Sequence, residues 1–382
     1  MTTPKDARPP EETPKSPRGA GPFARERRRE RRFALFLAAF VPLVVVAWLT
    51  MLGVPRGTVH TPHARMLLER GRSLAWAGTS QSAWTRLTKK VGGTTLEVRG
   101  AENENDVLAM NRRPFPSSAG DPASDIVVVG DLLDHPARRF LEALRDRYGS
   151  VPEGVEAAEP GDGRLAAFAF LRKTLEFEVP FPRLEAGLRF STGPMPILGS
   201  TRVEAFGFED GRGDPAALAQ VLVHWQDNPA DPESFVLELI PKGGDRVLLA
   251  CGVVEETLDR QWNVVQRVAS KPGTPLSARP FSRLGIPAVA TGLRAERFNA
   301  LLGDVGGGLR LDDFRQWLQV TLDGGTGSAA PAPAPPAPAG RGAEGPSFVF
   351  DEPFLLAVVE KDTRVPSVLL WIANPEMLVR AK

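Results

Sequence analysis

The stretch P-A-P-A-P-P-A-P-A-G-R-G-A-E-G-P, residues 331–346, excludes more folds than any other part of this chain. Proline has no backbone N–H and a fixed φ, so Pro331, Pro333, Pro335, Pro336 and Pro338 rule out a helix or a central strand there. The tract favours an extended, solvated polyproline-type conformation. Strand-like runs bracket it: Trp317–Leu322, which alternates apolar and polar residues, and the wholly apolar Phe354–Val359. A segment of more than about 15 residues without its own structure, inside a compact domain, is either functional or a linker. Two readings therefore stand side by side: a Pro/Ala-rich linker between two strands, or an exposed bait loop.

The chain has 382 residues, 42% hydrophobic and 24% charged, with a net charge of +1. That is a globular composition without the basic excess of a nucleic-acid binder. A single cysteine, Cys251, excludes an intrachain disulfide framework. Its setting, R-V-L-L-A-C-G-V-V, reads as a strand with a buried, inert thiol.

Residues 1–24 carry almost no large apolar side chains and are expected to be disordered. Residues 25–32 hold six arginines against two glutamates, and the 22 residues Phe33–Val54 that follow carry no charge. About 20 apolar residues span a bilayer as a helix, and Pro42 kinks such a helix without forbidding it. The arginines keep residues 1–32 cytoplasmic and send the rest of the chain outside. No small-x-small site follows the apolar run, which favours a retained anchor over a cleaved signal peptide. Residues 55–75 then read as a juxtamembrane stalk, with a short helix over Met66–Trp76. His60 and His63 lie there, but H-x-x-H without a third ligand is weak metal evidence.

Residues 76–120 have no clear pattern beyond a helix over Ala83–Val91. From Asp125 the signals sharpen. D-I-V-V-V-G is a buried strand. A helix follows over 134–148, with Asp134 as its cap, Pro136 in its first turn and Gly149 as its stop. Strands are expected at Leu165–Phe170, Thr174–Val179, Leu188–Phe190, Val203–Phe208, Gln220–Trp225, Phe235–Ile240 and Val247–Val254. Helices are expected over the run from Glu255 to Val268 and over Leu293–Leu302. Helices first and many strands later, with few βαβ alternations, argue for an α+β fold with large, mostly antiparallel sheets.

Several of these segments, in this order, resemble the serpin family. V-T-L-D-G-G-T-G-S-A-A resembles its reactive-loop hinge, with Asp323, Gly325, Thr326 and the small residues Ser328, Ala329 and Ala330 in register. D-E-P-F-L-L-A-V-V resembles the strand after that loop, and V-L-L-W-I-A-N-P the final strand. F-E-V-P-F at 177–181 is similar to a Trp-x-x-Pro-Phe segment of the family, with Phe177 in place of tryptophan. V-L-V-H-W-Q-D-N and F-V-L-E-L-I-P-K-G-G-D resemble a pair of its strands, and F-L-E-A-L-R-D-R-Y-G one of its helices. The resemblance covers about 125–382. There are departures. Ala169 stands where the family has asparagine, and Leu370 where it has glycine. A short loop follows Tyr148 where the family has a helix across its main sheet.

The resemblance implies a serpin-like domain over 76–382 with an exposed loop at 323–347, and a hinge formed by Asp323, Gly324, Gly325, Thr326, Gly327, Ser328, Ala329 and Ala330. It also implies a protease inhibitor that traps its target by inserting the cleaved loop into the main sheet. Arg341, the only basic residue of the loop, is the candidate scissile-bond residue and points to a trypsin-like serine protease as partner. The prolines oppose full insertion. Each leaves a buried carbonyl unpaired at about 1–3 kcal/mol, so five cost on the order of 5–15 kcal/mol, comparable to the stability of a domain. Two functions stay open: a protease-binding or protease-inhibitor module, single-pass and extracytoplasmic, with doubtful trapping; or a non-inhibitory extracytoplasmic scaffold in which 328–346 is only a linker. Neither is an enzyme. His60, His63, His135 and His224 sit in no G-x-S-x-G, H-E-x-x-H or phosphate-loop context, and no cofactor or metal site is expected.

Overall fold

The computed structural model describes residues 57–112, 115, 125–192, 200–230, 232–325, 345–361 and 363–382. The tail 1–32, the apolar run 33–54 and the loop residues 326–344 lie outside the described residues. Among the described residues, no helix is long and apolar enough to cross a membrane.

One sheet has eight strands. Its order is β1 (Thr58–Thr61), β2 (Ser73–Ala77), β19 (Pro366–Ile372), β18 (Phe354–Val359), β10 (Arg246–Cys251), β9 (Phe235–Leu239), β8 (Val221–Gln226) and β11 (Thr274–Pro275). The central strands are near-continuous apolar runs because both faces are covered. Leu237, Leu249, Leu356 and Leu370 enter the main core on one face. On the other, Val236, Leu248, Leu355 and Trp371 pack with Trp262 of helix α4 (Leu258–Ala269).

The stalk assigned to 55–75 is a correction from Gly57 onward. Strand β1 pairs in parallel with β2, Val59 opposite Leu74. The buried Asn374 amide then donates to the carbonyls of Gly57 (2.8 Å) and Gly71 (3.1 Å). A four-residue edge strand with one large apolar side chain carries no period that a sequence reading can detect. The helix expected over Met66–Trp76 is likewise replaced by β2, whose five residues are all buried.

The second large sheet holds β3 (Asp125–Asp131), β4 (Arg164–Leu175) and β16 (Leu309–Leu322) side by side. Three short strands pair with the outer edge of β16: β13 (Val289–Ala290), β14 (Arg294–Arg297) and β15 (Gly303–Gly306). The helix expected over Leu293–Leu302 is β14 followed by one 3-10 turn, Asn299–Leu301. Phe298 and Leu301 lie three residues apart, which imitates a helical face. Smaller sheets join β17 (Ser347–Val349), β12 (Arg283–Pro287) and β7 (Ala205–Phe208), and β5 (Leu188–Ser191) with β6 (Ser200–Val203). The α+β class and the mostly antiparallel pairing hold. The parallel exceptions are β1 with β2, β12 with β17, and β4 with β16.

Helices cover both faces of this second sheet. Helix α1 (Gly78–Lys90) packs Ala83, Trp84 and Leu87 beneath it, and α2 (Glu104–Arg112) adds Val107 and Met110. Helix α3 (Pro136–Tyr148) lies on the opposite face through Ala137, Phe140 and Leu144. It starts at Pro136 and ends at a left-handed Gly149, as its sequence predicts. Asp134 does not cap it. Its carboxylate accepts instead from Lys90 and from the Asp131 N–H. The free N–H groups of Ala137 (3.3 Å) and Arg138 (2.9 Å) donate to Glu159 from the following loop, a carboxylate placed where the helix dipole favours it.

Candidate functional site: the central strand pair and the roots of its loop

Strands β4 and β16 run parallel, in register from Leu165↔Leu311 to Leu175↔Leu322 with one irregularity between Leu311 and Asp313. Both neighbours of this pair, β3 and the short strands β13 to β15, are antiparallel to it. A parallel ladder is slightly weaker per residue than an antiparallel one. The middle of the sheet is therefore its least favourable seam, and two sets of side chains bridge it.

On the α3 face, the Phe140 ring lies 5.5 Å from Phe168 of β4 and 5.2 Å from Trp317 of β16. Further along, Arg172 of β4 donates through Nε to Gln319 of β16 at 2.8 Å, and its guanidinium sits 4.9 Å over the Tyr148 ring at the end of α3. On the α1 face, Trp84 stacks on Phe314 at 6.4 Å. There the fully buried Gln316 donates through Nε2 to Thr79 Oγ1 at 2.8 Å. Its Oε1 meets no hydrogen-bond donor among the described residues, which costs about 1–3 kcal/mol. At the end of β4, the buried Lys173 reaches Asp245 at 2.9 Å and ties the strand to the eight-stranded sheet.

Strand β16 ends at Leu322 and the chain leaves the sheet at once. Asp323 Oδ1 accepts the Gly325 N–H at 2.9 Å, an Asx turn. Gly324 and Gly325 have φ of 75° and 77°, the left-handed region that glycine alone enters freely. A Cβ on Gly324 would stand 2.6 Å from the Phe206 ring. The Gly324 carbonyl accepts the Phe181 N–H at 2.9 Å. The F-E-V-P-F segment lies beneath this turn, with Phe177 and Phe181 4.8 Å apart and edge-on, and Phe181 5.6 Å from Phe206. The chain re-enters at Gly345. Pro346 accepts the Ser282 N–H at 2.9 Å, and β17 then runs parallel to β12.

Of the predicted hinge, Asp323, Gly324 and Gly325 are thus placed at the exit turn. Thr326, Gly327, Ser328, Ala329, Ala330, Arg341 and the five prolines lie outside the described residues. The face that the resemblance assigns to a helix after Tyr148 is covered by α3 itself. Arg172, Gln316 and Thr79 escaped sequence reasoning. Gln316 alone left a trace: Phe314 and Leu318, two residues to either side, mark its position as inward-facing.

The remaining singled-out residues are structural. His60 is buried, and burial, reinforced by Arg294, lowers it to about 4, so it is neutral. His63 accepts the Arg65 N–H at Nδ1 (3.2 Å) and therefore donates from Nε2 to Asp106 (3.1 Å). His224 bridges the Lys271 carbonyl (2.9 Å) and Glu238 (2.6 Å). Burial would raise Glu238, but hydrogen bonds from Arg246, at 2.7 Å to each oxygen, and from His224 outweigh it and hold the carboxyl at about 2. Burial, with Glu352 and Asp351 nearby, pushes the Cys251 thiol up to about 12. No group of three His, Cys, Asp or Glu among the described residues is arranged to hold a metal ion.

This geometry permits one rearrangement. A chain that turns back at Asp323–Gly325 runs antiparallel to β16. Inserted between β16 and β4, it would be antiparallel to both and would turn the parallel seam into two antiparallel ladders. The insertion requires the Arg172–Gln319 bond to break and α3 to release one of the two strands.

Among known proteins, no family model and no curated sequence matches the chain. Solved structures do. A Manduca sexta serine protease inhibitor, serpin-12, is similar at 9% identity and a TM-score of 0.47, over 81% of this chain and 94% of that one. Human thyroxine-binding globulin complexed with thyroxine is similar at 10% identity and 0.45, over 79% and 92%. Serpin48 of the insect Tenebrio molitor is similar at 10% and 0.44, over 80% and 92%.

Proposed function

We propose that this chain is a divergent, serpin-type protease-binding module. In this reading it is held at the membrane by residues 33–54 with its main domain extracytoplasmic, and it recognises a trypsin-like protease through residues 328–346 of its exposed loop, with Arg341 as bait. One observation carries the reading: β16, half of the parallel seam, passes directly into the loop through a glycine turn at Asp323–Gly325. The ordered motifs of the sequence add to it.

The module binds without full trapping. Thr326–Ala330 are small enough to enter the seam. They cover less than half of the Leu311–Leu322 ladder before Pro331 removes the first N–H. Phe140 and the Arg172–Gln319 bond bridge β4 and β16 on the α3 face and oppose opening there.

The test is incubation of the full chain with trypsin. Cleavage after Arg341, without an SDS-stable complex and without a rise in Tm, is the expected result. An SDS-stable covalent complex would show that the prolines do not block trapping. No cleavage at Arg341 would remove the bait reading. The closed seam also favours a second reading, a scaffold in which 328–346 is a linker. Deleting 329–345 with folding and partner binding intact would select it. Protease accessibility of the main domain on intact cells tests the topology.

A further inference from the structure

Away from the seam, the segment that joins β1 to β2 and helix α2 enclose a pocket of about 340 Å³, within the range of small-molecule sites. Asn105, Leu108, Ala109 and Arg112 line one wall. Their spacing, at i, i+3, i+4 and i+7, is one face of a helix. Val107 and Met110 turn the other way, into the core.

The pocket has an apolar part and a polar part. Leu67 (62% exposed) and Leu108 (54% exposed) both line it, and Leu74 and Met66 lie with them. Two half-exposed leucines on facing walls leave apolar surface that nothing in the described chain covers. The acidic groups of the lining are already engaged: Asp106 by His63 at 3.1 Å and Glu69 by Arg72 at 3.1 Å. The cations are less fully matched. Among the described residues, Arg65 pairs only with Asp259, at 3.7 Å, and Arg112 has no carboxylate within ion-pair distance. The rim therefore offers positive charge beside an apolar slot.

We propose that this pocket binds a small amphipathic carboxylate, with its hydrocarbon body between Leu67 and Leu108 and its carboxylate on Arg112 and Arg65. The site is independent of the loop and of any protease. No covalent step is involved.

Sodium octanoate titrated into the full chain by calorimetry tests it, with octanamide as the uncharged counterpart. Saturable octanoate binding is expected, weakened about tenfold in Arg112→Glu and in Leu108→Asp, the loss of one charge-assisted contact or of the slot. Octanamide should bind about tenfold more weakly than octanoate. Leu133→Asp, at a leucine 88% exposed elsewhere on the surface, should bind like the parent and controls for general stickiness. Near-identical far-UV circular dichroism and Tm for the variants would keep the comparison free of unfolding. Binding that is equal in all variants would assign the octanoate to the apolar run 33–54 and overturn the proposal. Absence of saturable binding, or equal affinity for octanamide, would overturn it as well.

Discussion

Replacing Phe140 by alanine tests the closed seam. The ring is fully buried and lies within 5.5 Å of Phe168 on one strand and 5.2 Å of Trp317 on the other. Truncating a buried phenylalanine costs about 3–5 kcal/mol, from lost transfer energy plus the cavity left behind. Unfolding entropy of about 2.1 cal/mol/K per residue makes this roughly 4–8 °C in Tm for a domain of this size. Loss of stability alone would not identify a clamp, so the informative assay is native-state hydrogen exchange read strand by strand. Amides of the Leu311–Leu322 ladder should exchange faster in Phe140→Ala, by up to about a thousandfold for a loss of 4 kcal/mol. Those of Phe354–Val359, in the other sheet, should change less. Equal acceleration in both sheets would falsify the clamp and make Phe140 an ordinary core residue. A Tm shift below about 1 °C would refute the packing argument itself.

Three further outcomes follow from the geometry. Gly324→Ala should cost about 1–3 kcal/mol, because the residue is left-handed and its Cβ would strike Phe206. Gly92→Ala, equally left-handed but with open space around it, should cost less, and chemical denaturation separates the two. Thr79→Val should cost about 1–3 kcal/mol by stranding the buried Gln316 amide, Gln316→Leu should cost less because it also removes the unpartnered Oε1, and the double substitution should be close to neutral. A double-mutant cycle with no coupling would refute the pair. Finally, Glu238 has a folded-state value depressed from 4.5 to about 2. Its stabilisation of about 3 kcal/mol is thus complete above pH 4.5 and is lost as pH falls towards 2. Glu238→Gln should flatten acid unfolding over that window. An unchanged acid limb would contradict the assignment.

Much of the chain was readable residue by residue. Phe354–Val359 is a strand with the predicted ends, because six consecutive apolar residues admit little else. Pro136 and Gly149 bound α3 as expected. The point where the chain leaves β16 was legible as the hinge that the resemblance places at Asp323, and the glycine turn there came from the structure. Other elements were not readable. Only the Trp317–Leu322 half of β16 showed alternation. Its first half, Leu309–Gln316, mixes arginines and aspartates that reach solvent and neighbouring strands. Strand β1 is an edge strand without a pattern, and it is held by Asn374 from the far end of the chain.

The sequence by itself determined local punctuation: the start of α3 at Pro136 and its stop at Gly149, the ends of Phe354–Val359, and that Cys251 is a buried thiol. Only the tertiary structure decided which strands are neighbours. Alternation reports the two faces of a strand and says nothing about its partner or its direction. The parallel seam joins residues such as Arg172 and Gln319, 147 positions apart, and α3 reached its place across that seam by packing Phe140 into it. Local dihedral preferences and turn residues act over a few positions and can be read directly. Long-range pairing is selected by the burial of whole faces against each other, which no short window of sequence contains.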